Sequence, residues 1–218
     1  MPSDPSSRRS PLVRTDARRN AERIVLAAGE VFADSGVDVF LEEIARRAGV
    51  GAATLYRHFP SKDELVRAVI EHGFADQVEP VLRRALDDEE DALTGVVAVL
   101  DAFMTMASQH RNALAAARQP GQFPVDVVAP FFERLAIILA RAQQQGTVRA
   151  DLDAEDLPRL LIMVFNTIWL NDAPGNWRRY LMLLLDALQP IAARPLPPVT
   201  PVTRSPVPTR YNGARQDH

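Results

Sequence analysis

Residues 41–65 read LEEIARRAGVGAATLYRHFPSKDEL, and the order of residue types within them encodes two short helices, a glycine turn between them and a proline stop. In the first helix Leu41, Ile44, Ala45 and Ala48 recur at the three- and four-residue steps that share one helical face, while Glu42, Glu43, Arg46 and Arg47 take the other. Gly49 stands where a helix C-cap wants a residue free to adopt positive φ, and a second helix can begin two residues later, at Gly51 or Ala52. A turn that tight makes the helices cross steeply. The second helix, from Ala52 to about Phe59, gives Leu55 and Phe59 to a core and leaves Ala53, Thr54, Arg57 and His58 to face elsewhere. It is too short to be stable alone, so packing must hold it. Its small N-terminal side chains allow close approach to a nucleic-acid groove. Pro60 stops it, and Ser61-Lys62-Asp63-Glu64 fits a capping box that opens a third helix near Lys62. This is the grammar of a helix-turn-helix that reads DNA.

The run Ile44-Ala45, Ala48-Gly49-Val50, Thr54-Leu55-Tyr56-Arg57-His58-Phe59, Ser61-Lys62 and Leu65, ungapped and preceded by a helix from Asp16 to Ser35, resembles the DNA-binding domain of the TetR family of transcriptional regulators. The resemblance covers roughly the first third of the chain. It implies a homodimer of all-α subunits, each with a three-helix N-terminal reader followed by a larger helical bundle that binds a small molecule and makes the dimer. The chain departs from the family's usual pattern at Gly51, Ala52 and Ala53, where a serine cap and more polar residues are common. Fewer base-edge donors remain there.

Composition sets outer limits. The 218 residues suffice for one compact domain or two small ones, and with no cysteine neither a disulfide framework nor a cysteine-based metal site can form. No apolar run is expected to reach the roughly 18 to 20 residues of a membrane span; Leu160 to Leu170 comes nearest and is interrupted by Asn166. The start, MPSDPSSRRSPLVRT, lacks an apolar signal core and reads as a flexible arm, so a cytoplasmic protein without a membrane partner is expected.

A net charge of −3 looks wrong for a DNA binder until its distribution is considered, because phosphates are neutralised by local cations. Residues 1–23 carry Arg8, Arg9, Arg14, Arg18, Arg19 and Arg23 against Asp4, Asp16 and Glu22, six minus three or +3. The arm either lies along DNA or is a solvated tail. Helix one sets Ile24, Ala27, Ala28, Val31 and Phe32 on one face and ends in Asp34-Ser35-Gly36; Phe40 then offers an apolar anchor to the helix that follows. The expected organisation is an arm over 1–15, the reader over 16–61, a helical ligand-binding and dimerisation domain over 62–194 whose first helix links the two, and a disordered proline-rich tail over 195–218.

DNA contacts divide into those that hold phosphates and those that read bases. Matched to the family's motif, Tyr56 and Lys62 look like backbone clamps, with Lys62 beside a helix N-terminus that is itself an anion site. Base readout would rest on Thr54, Arg46, Arg57 and the methyl groups of Ala52 and Ala53. His58 either joins them or bonds within the reader.

Beyond Leu65, Val66, Val69, Ile70 and Phe74, Pro80 predicts a kink or break. Further helices are expected over Ala92 to His110 and Pro130 to Gln145, separated by a proline–glycine loop from Gln119 to Pro124. The segment QQQGTVRADLDAEDLPRLL, 143–161, resembles the family's C-terminal half, and Asp153 can cap a helix from Ala154 to about Leu170. A last helix spans Asn176 to about Ala192. Both are apolar on so many sides that a second copy is expected to cover Leu160, Val164, Ile168, Trp177, Leu181, Leu184 and Leu188 in a four-helix bundle. An apolar effector cavity is expected among Phe103, Met104, Phe123, Phe131, Phe165 and Trp169, with Asn166 to orient the ligand.

An enzyme is the main competing class. The four histidines are scattered, none pairs at i, i+4, and the glycines form neither a P-loop nor a dinucleotide fingerprint, so no catalysis, metal or cofactor is expected. The reading is therefore a sequence-specific regulator, a repressor released from a palindromic operator by a small, mostly apolar ligand. A helical ligand-binding or adaptor protein with weakened DNA binding is the alternative, motivated by the alanine-rich second helix.

Overall fold

The computed structural model describes residues 11–117, 125–170, 175–191 and 194–197, and these are helical with short connections. The reader comprises α1 (Pro11–Ser35), α2 (Leu41–Ala48) and α3 (Ala52–His58). Its core is built as the periodicity requires: Ile24, Ala28 and Phe32 from α1 meet Ile44, Leu55 and Leu65, all at most 1 % exposed. Helix α1 starts at Pro11 rather than at Asp16, so residues 11–15, expected in the arm, are helical; proline suits the first turn because its missing N–H has no intrahelical partner there. Phe40 corrects another expectation. It is 82 % exposed, serving as backbone N-cap of α2 with its carbonyl accepting from the Glu43 N–H at 3.1 Å, and anchors nothing.

Gly49 ends α2 at φ +64°, ψ +38°, and the N–H of Val50 reaches the carbonyl of Ala45 at 3.0 Å. That is the left-handed stop which lets α3 begin three residues later. Ser61 caps α4 (Lys62–Gly73) through its Oγ, which accepts from the Glu64 N–H at 3.2 Å.

Helix α4 does not break. It passes through a π-helical turn, Phe74–Val78, into α5 (Glu79–Asp87), where the N–H of Glu79 bonds to the carbonyl of Phe74. Pro80 lies in the first turn of α5. Having no N–H and clashing with the carbonyl four residues back, it denies the chain an ordinary α-helical bond at that point, and the wider turn just upstream absorbs the misfit.

Five further helices follow among the described residues: α6 (Ala92–Gln109), the short α7 (Arg111–Ala116), α8 (Val125–Gln144), α9 (Asp156–Leu170) and, last, α10 (Trp177–Leu188). Asp91 caps α6 by accepting from the N–H of Thr94 at 2.9 Å. Helix α6 is long and apolar enough to cross a membrane by composition, contrary to expectation, but it lies at the centre of the bundle against α5, α8, α9 and α10. Helix α8 starts five residues before Pro130 and carries that proline inside it. Helix α9 starts at Asp156 rather than Ala154, so Asp153 does not cap it as expected; its Oδ1 instead accepts from the N–H of Glu155 at 3.0 Å in the turn before the helix. Between α8 and α9, Gly146 at φ +72° turns the chain, and the Gln143 side chain donates to the carbonyls of Arg149 and Leu152 at 3.0 and 2.8 Å.

Segment 194–197, expected in or beside a disordered tail, is tied down: Arg149 donates to the carbonyl of Arg194, and Asp151 Oδ2 accepts from the N–H of Leu196 at 2.8 Å. The same Arg149–Asp151 pair is bidentate, at 2.6 and 2.9 Å, and together with the Leu196 N–H it holds the Asp151 carboxyl well below the usual carboxylate range. The loop from Gln119 to Pro124 and the rest of the tail lie outside the described residues.

Candidate nucleic-acid interface and effector cavity

On α3 a single side chain, Leu55, is fully buried, so the helix is pinned by one residue and presents the rest of its surface outward. Ala53, Tyr56 and Arg57 are exposed; Ala52, Thr54, His58 and Lys62 are half-buried at its rim. Arg57 folds back along its own helix, donating from Nη2 to Thr54 Oγ1 at 3.0 Å and from Nε to the Ala53 carbonyl at 3.3 Å. To reach a base edge it has to swing away from Thr54. Tyr56 donates its phenol to Glu42 Oε1 at 3.1 Å, and the hydrogen bond to that carboxylate raises the pKa of the phenol. Arg46 pairs with Glu43 at 3.4 Å on the exposed face of α2. The ring of His58 lies 6.4 Å from that of Phe59, tilted by 42°.

Several residues that shape this face carry no signal in the local pattern. Arg23, counted with the arm, donates Nη2 to the carbonyl of Ala48 at 2.6 Å, capping α2 from the side. Arg47 makes a forked pair with Glu30 at 2.9 and 3.1 Å, locking α2 against α1. Both bonds join residues 17 to 25 positions apart, which periodicity does not report.

The reader meets the rest of the chain at the start of α7. Asn112 donates its amide to the carbonyls of Phe32 and Ala33 at 2.8 and 3.2 Å, capping the last turn of α1. His110 sits against two glycines: Nε2 is 2.7 Å from where a β-carbon on Gly73 would stand, and Cε1 is 3.8 Å from the same point on Gly29. Burial, helped by nearby His72, lowers the pKa of His110.

Behind that junction a cavity of about 310 Å³ opens between α6, α8 and α9, lined by Phe103, Val128, Phe132, Leu161, Ile162, Phe165 and Asn166. It gathers three of the expected ligand residues, Phe103, Phe165 and Asn166. Met104 and Phe131 are instead core, at 0 % and 1 % exposed, and Trp169 packs edge-on against Phe165 with ring centres 4.6 Å apart. Phe123 lies outside the described residues. Leu161 and Ile162 were within reach of the sequence, since each stands four residues before Phe165 or Asn166 on the same flank of α9.

The expected dimer surface needs a larger correction. Val164, Ile168, Trp177, Leu181 and Leu188 are between 2 % and 7 % exposed within one subunit, where they join α9 to α10 and α6. Most of their surface is thus taken up inside one subunit. Leu160 and Leu184 stay half-buried, and the exposed apolar residues of the two helices are Ile162, Met163, Tyr180, Met182 and Leu183.

Two family descriptions match the chain: bacterial regulatory proteins of the tetR family over residues 24–69, and the SbtR-like transcriptional regulator C-terminal domain over residues 53–190. The chain is 33 % identical over 147 residues, 65 % of its length and 76 % of the relative's, to MT2310 of Mycobacterium tuberculosis, an uncharacterised HTH-type transcriptional regulator. It is 39 % identical over 98 residues, 44 % of its length and 43 % of the relative's, to the HTH-type transcriptional activator FasR of Mycolicibacterium smegmatis. Among solved structures, the TetR transcriptional regulator SCO0520 from Streptomyces coelicolor superposes with a TM-score of 0.59 at 31 % identity, covering 79 % of this chain and 99 % of that one.

Proposed function

The chain belongs to the TetR family of transcriptional regulators, and from that premise we propose that it acts as a homodimeric repressor that leaves a near-palindromic operator when a small, mostly apolar ligand enters the cavity behind the reader. The observation that carries the reading is the presentation of α3: one buried leucine, Tyr56 and Arg57 exposed, and Thr54, with Lys62 at the start of α4, half-buried. In this reading Tyr56 and Lys62 hold phosphates. Thr54, Arg57 and Arg46 read base edges, Ala52 and Ala53 offer methyl contacts to thymine, and His58 closes the far end of the helix. Two such helices must meet successive major-groove faces about 34 Å apart or a multiple of it, which is what makes the dimer part of the function. A protein with this task works in the cytoplasm and needs no cofactor.

Ligand control follows from differential affinity: a ligand that favours the conformer with misplaced readers lowers DNA affinity by that difference and no more. The similarity to FasR, named an activator, supplies the second reading, in which the bound form turns transcription on. Selection of bound sites from random duplex DNA tests the proposal, followed by a reporter driven from the best site. Recovery of an inverted repeat with reporter output rising on deletion of the protein is the expected result. Output falling on deletion establishes the activator reading, and failure to enrich any sequence leaves the adaptor alternative standing.

A further inference from the structure

The chemistry of the cavity wall narrows the ligand beyond apolar character. Of the described residues that line it, three are phenylalanines, three are aliphatic and one, Asn166, is a neutral amide; none is charged. One N–H of that amide already goes to the carbonyl of Ile162 at 2.7 Å. A carboxylate or phosphate drawn into this space would give up water without gaining a cation from the described wall, a loss that apolar contacts offset poorly. Another hollow among the described residues makes the contrast. About 500 Å³ in size, it lies by α9, α10 and segment 194–197, and charged side chains of both signs, Arg149, Arg159 and Asp156, stand in its wall among apolar residues.

Ring chemistry is favoured as well. Phe103, Phe132 and Phe165 come from three different helices and converge on one space, where faces and edges of flat ligands pair with aromatic rings. Judged by the ~30 Å³ that a water claims in the liquid, the space holds at least about ten non-hydrogen atoms. Ile162 stands in the wall and is also 58 % exposed, so the way in runs beside it. We propose that the cavity between α6, α8 and α9 takes an uncharged, ring-bearing apolar molecule and discriminates against its anionic counterparts. This rests on the reading of that cavity as the effector site.

Two dyes with one ring skeleton test it: N-phenyl-1-naphthylamine, which is neutral, and 1-anilinonaphthalene-8-sulfonate, which adds a single negative charge. Fluorescence titration of the full chain should show saturable binding of the neutral dye, weakened tenfold or more by Ile162→Trp, which fills the mouth from a half-exposed position. The sulfonated dye should bind this site at least tenfold more weakly, and any binding of it elsewhere on the molecule should be insensitive to that substitution. Phe132→Trp, which fills the cavity from α8, provides an independent block and should behave alike. If both dyes bind equally and both substitutions expel both, selection against charge is refuted while the site stands. If neither substitution moves the neutral dye in a chain that keeps its helical circular dichroism, the effector site itself is misplaced.

Discussion

Single residues decide how the reader is held and how it grips. Gly49 combines a left-handed backbone with a side-chain guest: a β-carbon there would stand 2.7 Å from Nη2 of Arg23, the group that caps Ala48. Gly49→Ala therefore has to pay for positive φ and also displace Arg23, and should lower stability by about 1–2 kcal/mol in urea titrations. At the DNA face, the hydrogen bond from Tyr56 to Glu42 sets an acid beside a proposed phosphate clamp. Tyr56→Phe should weaken all duplexes alike by roughly fivefold, the worth of one hydrogen bond, whereas Glu42→Gln should strengthen binding by removing a charge that repels phosphate. Lys62→Ala should lower the slope of log affinity against log salt by about 1, and an unchanged slope would remove Lys62 from the set of phosphate contacts. The turn, its glycine and the Ser61 cap were legible in the sequence because each is a local demand on four or five residues. Arg23, Glu42 and Asn112 were not, because each acts on a partner brought near by packing.

At the scale of elements, the connection from cavity to reader runs through rings and an unusual turn. Phe103, in the cavity wall, stacks on Phe131 with centres 5.0 Å apart; Phe131 meets Phe74 edge-on at 5.5 Å; and Phe74 opens the π-helical turn that joins α4 to α5. Adjacency alone is not coupling. The discriminating variant is Phe131→Leu, which keeps the site apolar and removes these two ring contacts together with a third, edge-on to Phe132 at 5.1 Å: DNA affinity without ligand should persist, and the change in DNA affinity on saturation with the neutral dye should disappear. The same π turn is flanked by Glu79, whose carboxylate takes a forked pair from Arg134 at 2.6 and 3.0 Å, a hydrogen bond that lowers its pKa. A carboxyl with a lowered folded-state pKa adds stability that is present above the ordinary glutamate range, near 4.3, and is lost as pH falls through the lowered value. Glu79→Gln should accordingly cost about 1 kcal/mol at pH 7, as suits a solvent-screened pair, and the difference from wild type should shrink on acidification below about pH 4. The sequence announced Pro80 as a disturbance without telling its form, since a break and a widened turn both answer a missing N–H. Pro130 misled for the same reason: proline suits a helix start, and the turn of helix that precedes it has no feature of its own that demands a beginning at Val125.

The whole molecule leaves a surface that one subunit does not finish. Sequence periodicity showed α9 and α10 to be apolar on several sides but not which side each neighbour would take, because a stripe that packs within a chain and one that packs between chains have the same composition. The structure assigns the inner stripe, Leu157, Leu161, Val164 and Ile168 with Trp177, Leu181, Leu185 and Leu188, to the subunit itself. That leaves Met163 at 68 %, Leu183 at 56 % and Met182 at 55 % exposed, large apolar side chains on which we expect a second copy to dock. A second copy related by two-fold symmetry buries the same residues from both sides, so one substitution strikes the interface twice. Met163→Glu and Leu183→Glu should therefore yield monomers in analytical ultracentrifugation, with helical content kept, because neither residue belongs to the core of a subunit. Val164→Ala serves as the contrast: it should lower stability by about 1 kcal/mol or more through lost packing, and leave the mass of the folded species unchanged. DNA binding separates the consequences further. A monomer keeps its reader intact and should still bind a half-site weakly, but it loses the added strength and the spacing requirement of two linked half-sites. Should Met163→Glu remain dimeric while Val164→Ala dissociates, the division between inner and outer stripes is drawn the wrong way round.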